Sequence, residues 1–262
     1  MITAEDISLE GVDVMFEITR WCNFECSHCM RGERQKRLIK NEYINQTLEQ
    51  IERIGTMSFT GGEPALAKKQ MQYVLDACHH YKTEVGHFWM ATNGSIATPS
   101  FFDLIVDWLH YCDDGDISGL RVSIDQYHEA EGTIQVSKFK DFEDRLDMEG
   151  LNCYLEYQGA SSNPKHLVAE GRAGIYYYSA QKMVEHNINL EWDDYDKKYL
   201  VRDTLYVSAK GNIITTADIS FERMDDIEED FIVCHVSEDI REGLARWFNS
   251  HPERVEKRKE YA

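Results

Sequence analysis

The sequence has no apolar run long enough to cross a membrane. A membrane-spanning helix takes about 20 predominantly apolar residues, and none of the 262 residues lies in such a run. The amino terminus, MITAEDISLEGVDV, also lacks the basic and apolar regions of a secretory signal peptide. We therefore expect a cytoplasmic protein with no membrane partner.

Positive charge is scarce. The 28 Lys and Arg residues face 47 Asp and Glu residues, which gives a formal net charge of −19 at pH 7. Proteins that bind duplex nucleic acid depend on cationic contacts to phosphates. The composition therefore argues against an extended nucleic-acid surface, although a locally basic pocket can still hold a single nucleotide.

Cysteine is too unevenly placed for a disulfide framework. The chain has 7 cysteines, an odd number, and disulfides are rare in the cytoplasm. The scattered ones are Cys78, Cys112, Cys153 and Cys234. The remaining three crowd together between Cys22 and Cys29, which indicates a site there.

Short β-like runs alternate with helical patterns, as in chains that build a parallel sheet from βα units. The predicted strands are Val14–Thr19, Thr56–Thr60, Phe88–Thr92, Leu120–Ile124, Asn152–Tyr157 and Thr204–Ala209. Between them, apolar residues recur at helical spacing, as at Ile44, Leu48 and Ile51. A Lys-Gly-Asn turn after the last strand predicts a β-hairpin.

These patterns predict an α/β fold, a partial (β/α)6-type TIM barrel with a small C-terminal β-hairpin extension. We place the barrel in residues 1–200 and the extension in residues 201–262, and we expect the extension to cap the barrel mouth.

Three cysteines lie on a short loop directly after the first predicted strand, as Cys22-x3-Cys26-x2-Cys29. Iron–sulfur clusters usually take four cysteine thiolates, so three leave one iron with an open coordination position. Structural zinc usually takes a second pair of ligands at a distance, and His28, between two cysteines, would strain a tetrahedral site. Spacing alone favours an iron–sulfur cluster and leaves zinc and coincidence open.

The pattern resembles the signature of the radical S-adenosylmethionine (SAM) superfamily, Cys-x3-Cys-x-(aromatic)-Cys, in which the open iron chelates SAM. The family's residue before the third cysteine packs near the adenine, and here it is His28. The family's GGE motif follows the second strand as Gly61-Gly62-Glu63. The resemblance implies that the glycines allow close approach to a ligand and that Glu63 binds the SAM ammonium group.

Weaker similarities occur where later strands end. Thr92 and Asn93 close the third strand, and Ser123 and Asp125 close the fourth. In the family, polar side chains here contact the SAM ribose and carboxylate, although turn chemistry alone also explains them. Arg172 lies in a Gly-Arg-Ala sequence that resembles a family motif for the SAM carboxylate; an unrelated surface arginine is the alternative. All these segments lie at the C-terminal ends of predicted strands, where (β/α) barrels assemble their chemistry.

The resemblance implies a radical SAM enzyme. A reduced [4Fe–4S] cluster would split SAM into methionine and a 5′-deoxyadenosyl radical, which would take a hydrogen atom from the substrate. Flavodoxin or ferredoxin is the implied electron donor, and the basic stretch 31–37 is a candidate docking surface for it. We expect one cluster, because residues 212–218 lack the auxiliary-cluster cysteines of many relatives and Cys153 and Cys234 are isolated.

The lack of auxiliary-cluster cysteines and of a peptide-docking extension predicts a small-molecule or nucleotide-like substrate. Radical SAM modification of a peptide or protein is the alternative. A SAM-binding Fe–S redox or sensor protein without turnover is a second alternative, and Glu63 with its neighbouring glycines argues against it. A zinc-stabilised binding module is the third.

Overall fold

Strands and helices alternate along the chain. The computed structural model describes residues 1–114, 117–177, 179–180, 182–226 and 230–256. Its strands are β1 (Ile7–Ser8), β2 (Val12–Thr19), β3 (Arg53–Gly61), β4 (Glu84–Thr92), β5 (Gly119–Val122), β6 (Tyr154–Tyr157), β7 (Asn189–Asp193), β8 (Lys198–Arg202), β9 (Thr204–Val207), β10 (Asn212–Ile214) and β11 (Ile232–His235). Its α-helices are α1 (Asn41–Leu48), α2 (Lys68–Tyr81), α3 (Pro99–Tyr111), α4 (Gln126–Glu129), α5 (Val136–Glu149), α6 (Gly171–Tyr176), α7 (Phe221–Met224) and α8 (Ile240–Ser250).

One sheet contains eight of the strands, in the order β11-β10-β9-β2-β3-β4-β5-β6. The six strands from β9 to β6 run parallel to their neighbours, whereas β10 is antiparallel to both β9 and β11. In the described part of the chain, no pairing joins β6 to β11, so the barrel is partial, as predicted.

The C-terminal hairpin is part of this same sheet. β9 pairs with β10 as the turn sequence predicts, and it also lies parallel to β2, with Met15 opposite Tyr206. Through the β2–β9 pairing, strands β9, β10 and β11 of the predicted extension therefore share a sheet with strands of the predicted barrel. The cap over the barrel mouth stays a prediction.

The apolar helical faces predicted from the sequence cover the sheet. On α2 and α3 the buried side chains include Met71, Cys78, Ile105 and Trp108, each fully enclosed. Trp108 contacts Phe59 of β3, with the ring centroids 5.2 Å apart. Fully burying an aliphatic or aromatic side chain of this kind contributes about 1.5–3 kcal/mol. Among the helices described, none has the length and apolar character needed to span a membrane.

A second, three-stranded sheet was not predicted from the sequence. Its order is β1-β8-β7, and the β7–β8 hairpin turns through residues 194–197. Leu190 and Val201 pair across it and are buried. This hairpin is hard to recognise in the sequence because it includes the acidic stretch around Glu191–Asp196. Only alternate residues of each strand face the core, so the others can be charged.

Candidate functional site

A cleft opens where the parallel strands end and the cysteine loop begins. It contains about 730 Å³ of space between protein atoms, part of it open to solvent, which is in the range of small-molecule sites. Cys22, Cys26 and Cys29 line it. So do eight of the nine residues predicted to contact SAM, namely His28, Gly61, Gly62, Glu63, Thr92, Asn93, Ser123 and Arg172.

The spacing of the three thiols bears on the choice of metal. A tetrahedral zinc ion with Zn–S bonds of about 2.3 Å holds its sulfurs about 3.8 Å apart. Among the described residues, the groups of three ligand atoms that lie within 4.8 Å of one another do not include Cys22, Cys26 and Cys29. The sulfurs are therefore spread more widely than one zinc ion requires, which favours a larger centre.

Electrostatics in the cleft also suit a metal centre. Burial raises the pKa of the Cys22 thiol to about 11 and that of Cys26 to about 12, so both hold their protons at neutral pH unless a metal displaces them. Guanidinium groups surround the thiols and offset the charge that three thiolates would carry. The arginines lining the cleft are Arg20, Arg31, Arg34 and Arg172.

Arg172 holds the cysteine loop in place. Its Nε donates to the carbonyl oxygen of Cys26 at 3.0 Å, and its backbone N–H donates to that of Cys29 at 2.9 Å. Just before it, Gly171 has φ +51°, and a Cβ there would lie 2.4 Å from the carbonyl oxygen of Met30. Arg172 is buried rather than the surface arginine weighed above. Its contact with the SAM carboxylate stays a prediction.

Gly61 and Gly62 are needed for close backbone packing. A Cβ on Gly61, where φ is +137°, would lie 1.8 Å from the carbonyl oxygen of Thr19, and a Cβ on Gly62 would lie 2.3 Å from that of Trp21. The N–H groups of Gly62 and Glu63 donate to these same oxygens at 2.8 and 2.9 Å. The end of β3 therefore lies directly against the segment that leads into the cysteines.

Glu63 is buried, and its carboxylate already has three partners. Oε1 accepts from the Ala65 N–H at 3.0 Å and from the Thr92 hydroxyl at 2.7 Å. Oε2 accepts from the Asn93 N–H at 2.6 Å. Burial nevertheless raises the pKa of this carboxyl group. A carboxylate has about four acceptor positions, so one remains for the predicted contact with the SAM ammonium group.

Asn93 and Ser123 bring the ends of β4 and β5 to the cleft. The Asn93 amide donates to Asn23 Oδ1 at 3.1 Å and lies 3.7 Å from the sulfur of Cys22. The backbone N–H of Ser123 donates to the carbonyl of Thr92 at 2.8 Å, and its side chain is half-buried.

Asp125 is the predicted SAM contact that does not line the cleft. Its carboxylate caps α4 through the N–H groups of Tyr127 and His128, both at 2.9 Å. It also accepts from the His128 ring and from the Ala160 N–H at 2.8 Å. Although burial opposes them, these hydrogen bonds lower the pKa of Asp125. A contact of Asp125 with SAM stays a prediction, and His128 occupies the cleft wall instead.

His28 lies in a stack of rings. It stacks on Tyr127 with centroids 4.5 Å apart and meets His128 edge-on at 5.0 Å. Burial and then the neighbouring His128 lower the pKa of His28 to about 4, so the ring is neutral. Its buried Nδ1 has no hydrogen-bond partner among the described residues.

A buried charged network beneath the cleft was missed from the sequence. Arg20 is fully buried, and it pairs with Glu17 at 2.5 Å and with Asp225 at 2.9 Å. Glu17 in turn accepts from the hydroxyl of Tyr206 on β9 at 2.7 Å. Glu17 and Arg20, in and directly after an otherwise apolar strand, were the available signal, since charges are rarely buried unless they are paired.

The predicted docking stretch is only partly on the surface. Arg31 is buried, and its Nη1 donates to the carbonyl oxygen of Ile219 at 3.1 Å. Arg34 and Lys36 lie over the ring of Trp21, at 4.8 and 5.6 Å from its centroid. The exposed positive charge of this stretch therefore comes from Lys36 and Arg37, while the half-buried Arg34 is paired with Glu25 at 2.5 Å.

Comparisons with solved structures show the fold. The hexahistidine-tagged form of anSMEcpe with bound AdoMet is 10% identical to this chain, with a TM-score of 0.55, over 93% of this chain and 82% of that one. SuiB of Streptococcus suis bound to precursor peptide SuiA is 12% identical, with a TM-score of 0.59, over 92% and 66%. At these identities the likeness shows a shared fold and no more.

Comparisons of sequence show the family. No curated protein sequence matches this chain significantly. The family model of the radical SAM superfamily matches residues 16–147, half of the chain, and this range contains the cysteine loop and Gly61-Gly62-Glu63. The chain belongs to the radical SAM superfamily.

Proposed function

We propose that this radical SAM enzyme modifies a peptide or protein substrate, using one [4Fe–4S] cluster held by Cys22, Cys26 and Cys29 with SAM beside it. The observation that carries the proposal is the convergence of three widely spaced thiols with Gly61-Gly62-Glu63 in one cleft. The donor set fits the cluster, because soft thiolates are the ligands of iron–sulfur centres.

The cofactors supply the reactive chemistry when bound, namely reductive cleavage of SAM to methionine and a 5′-deoxyadenosyl radical that takes a hydrogen atom from the substrate. The protein's own residues supply position and shelter. Gly61 and Gly62 hold the end of β3 against the cysteine loop, and Arg172 fixes that loop through the Cys26 carbonyl.

The polar groups around the cleft suit the polar ends of SAM. Glu63 keeps one acceptor position for the ammonium group. The guanidinium group of Arg172, which lines the cleft, suits a carboxylate. The neutral His28 ring, with its free Nδ1, suits the adenine. Phe24 and Phe221 line the same cleft and add apolar surface to it.

The substrate proposal departs from the small molecule expected from the sequence. SuiB was solved bound to a precursor peptide, and native anSMEcpe was solved with AdoMet and the Cp18Cys peptide. In this chain the cleft continues past His28 and Ser123 into a groove of about 1260 Å³, much of it open to solvent and walled in part by residues 158–161 and 166–168. Small-molecule sites enclose most of their ligand, so an open groove of this size suits an extended peptide better.

An electron donor of the flavodoxin or ferredoxin type is part of the proposal. Such carriers are acidic, and Lys36 and Arg37 are exposed positive residues shortly after the cysteine loop on a chain whose net charge is −19. Opposite charges at a docking surface speed association and fix its orientation.

The test is anaerobic reconstitution followed by reduction in the presence of SAM. We expect 5′-deoxyadenosine to form, and a degenerate peptide library to increase its rate, whereas the Cys26→Ala variant forms none. Deuterium carried from a labelled library into 5′-deoxyadenosine would identify the peptide as the hydrogen donor. Stimulation by a low-molecular-mass cell extract and not by peptides would restore the small-molecule substrate. Tight SAM binding without 5′-deoxyadenosine would favour the redox or sensor protein.

A further inference from the structure

A second group of metal-ligating side chains lies outside the cleft, in the C-terminal part of the chain. His186 precedes β7, Asp230 precedes β11, and His251 follows α8. One ligand atom from each lies within 4.8 Å of the other two. None of the three lines the cleft that holds the cysteines or the groove that continues from it.

The spacing within this group matches zinc coordination. Oδ2 of Asp230 lies 3.5 Å from Nε2 of His186 and 3.0 Å from Nε2 of His251. Around a tetrahedral zinc ion with bonds of about 2.0–2.1 Å, neighbouring nitrogen and oxygen ligands lie about 3.3–3.4 Å apart. The two measured distances fall on either side of that value.

Both imidazole rings are held so that Nε2 faces the shared centre. Nδ1 of His251 lies 2.9 Å from the carbonyl oxygen of Trp247, to which it can only donate. Nδ1 of His186 lies 2.9 Å from the hydroxyl oxygen of Thr215. A ring that donates through Nδ1 presents a lone pair at Nε2, and hydrogen bonds of this kind orient metal-ligating histidines in general.

The Asp230 carboxylate and the imidazole lone pairs at the shared centre require a positively charged partner. For a neutral His251, the Nε2 lone pair and the Asp230 carboxylate are both acceptors and cannot satisfy each other. Either a proton or a metal ion must lie between them. A proton serves one histidine at a time, whereas a metal ion serves both nitrogens and the carboxylate together.

The two histidines of the site are largely buried, whereas its aspartate is open to solvent. The histidine side chains are 17% and 13% exposed, and that of Asp230 is 67% exposed. His251 stacks on Trp247 with centroids 3.9 Å apart, and the Trp247 indole donates to the Asp230 carbonyl oxygen at 2.9 Å. Water can therefore complete the coordination from the Asp230 side, as in three-ligand zinc sites.

We propose that His186, Asp230 and His251 bind one divalent zinc ion. Two imidazoles with a carboxylate suit zinc rather than calcium or magnesium, which prefer oxygen ligands. The ion would tie together three segments that are far apart in the chain: the approach to β7, the start of β11 and the end of α8.

The test measures zinc in the full-length protein with its iron–sulfur cluster in place, so that the cysteines are already occupied. Protein equilibrated with zinc sulfate and then desalted should retain about one zinc ion per chain. Asp230→Asn should weaken zinc binding at least tenfold against a chromophoric chelator. Because the Asp230 side chain is largely exposed, this variant is expected to fold normally, which circular dichroism checks. His186→Gln and His251→Gln should weaken zinc binding in the same way.

Glu253→Gln is the matched control, since Glu253 is an exposed carboxylate close to His251 in sequence, and it should retain zinc like the unchanged chain. Cobalt(II) gives a second measurement: its visible absorption should appear without thiolate charge-transfer bands and should vanish in Asp230→Asn. Zinc retention that is equal in the unchanged chain and in all three ligand variants would overturn the proposal. So would the absence of retained zinc in the unchanged chain, which would leave a proton-linked pair of His251 with Asp230.

Discussion

The hydroxyl of Thr92 donates to Glu63 at 2.7 Å, and this bond joins the C-terminal ends of β3 and β4 inside the cleft. With the Asn93 N–H on the other oxygen of the same carboxylate, Glu63 fixes how far apart the two strand ends lie. These hydrogen bonds therefore orient the Glu63 carboxylate before SAM binds.

Replacing Glu63 should damage folding and binding together. In Glu63→Ala the Ala65 and Asn93 N–H groups and the Thr92 hydroxyl lose their acceptor while remaining buried, so we expect the free energy of unfolding to fall by about 2–4 kcal/mol. SAM affinity should fall at least tenfold. Thr92→Val removes one donor to Glu63 and the acceptor of the Gly94 N–H, and should cost less, about 1–2 kcal/mol. Urea unfolding and SAM titration measure both effects, and an unchanged unfolding curve for Glu63→Ala would contradict this role.

Protonation of Glu63 makes the free energy of unfolding depend on pH in a defined direction. Burial raises the pKa of its carboxyl group above the ordinary value of 4.5, so the folded chain holds that proton more tightly than the unfolded chain. This contribution is fully present below pH 4.5 and is lost as the pH rises through the folded pKa. The unfolding free energy of the unchanged chain minus that of Glu63→Gln should therefore decrease as the pH rises from 4.5. A difference that grows with pH would show that the hydrogen bonds outweigh burial.

Gly61 and Gly150 both have positive φ, which makes them a matched pair. A Cβ on Gly150 meets nothing within 4 Å, whereas a Cβ on Gly61 would lie 1.8 Å from the Thr19 carbonyl oxygen. Gly150→Ala should cost about 1–2 kcal/mol, the penalty of the left-handed backbone alone. Gly61→Ala should cost more than about 3 kcal/mol and should lower the yield of bound cluster. Equal thermal stability of the two variants would refute the close packing at β3.

Cluster content tests the ligand assignment. Anaerobically reconstituted protein should contain about four irons and four sulfides. Replacing Cys22, Cys26 or Cys29 by Ala should abolish them, because in the proposed site each thiol would hold a separate corner of the cluster. Cys78→Ala and Cys112→Ala remove buried thiols outside the cleft and should leave iron content unchanged. Iron retained in the triple variant would mean a second cluster, with Cys153 and Cys234 as the first ligands to test. Colourless protein with zinc bound at these cysteines would contradict the proposed iron–sulfur cluster.

The sequence predicted the strands of the main sheet well because β2 to β6 are short apolar runs bounded by polar turns. It also identified the cysteine loop and Gly61-Gly62-Glu63 as parts of a candidate site, since both are local sequence patterns. For Asp125 it left a SAM contact and turn chemistry open, because residue type alone does not decide between them, and the structure shows the carboxylate capping α4. The charged network of Glu17, Arg20 and Tyr206 was missed for another reason: its members come together only through tertiary pairing.

The same limit applies to the substrate. The absence of cysteines from residues 212–218 pointed to a small molecule, but that observation concerns clusters and not the width of the groove. The groove beyond His28 is formed by loops after β6, where hydrophobic periodicity is weak. Its openness depends on how these loops pack against the cysteine loop, which no short stretch of sequence encodes.

The pairing of β2 with β9 has a consequence for how the protein is made. Glu17 and Tyr206, joined across these strands, are 189 positions apart. At about 5–20 residues per second, the ribosome takes roughly 10–40 s to synthesise that interval. During this time the nascent β2 has an unpaired edge, which is a template for aggregation, and the cysteine loop that follows it lacks its final support. We therefore expect the proposed cluster to be inserted into a nearly complete chain, and chaperone protection of the early β2 edge to raise the yield of active enzyme.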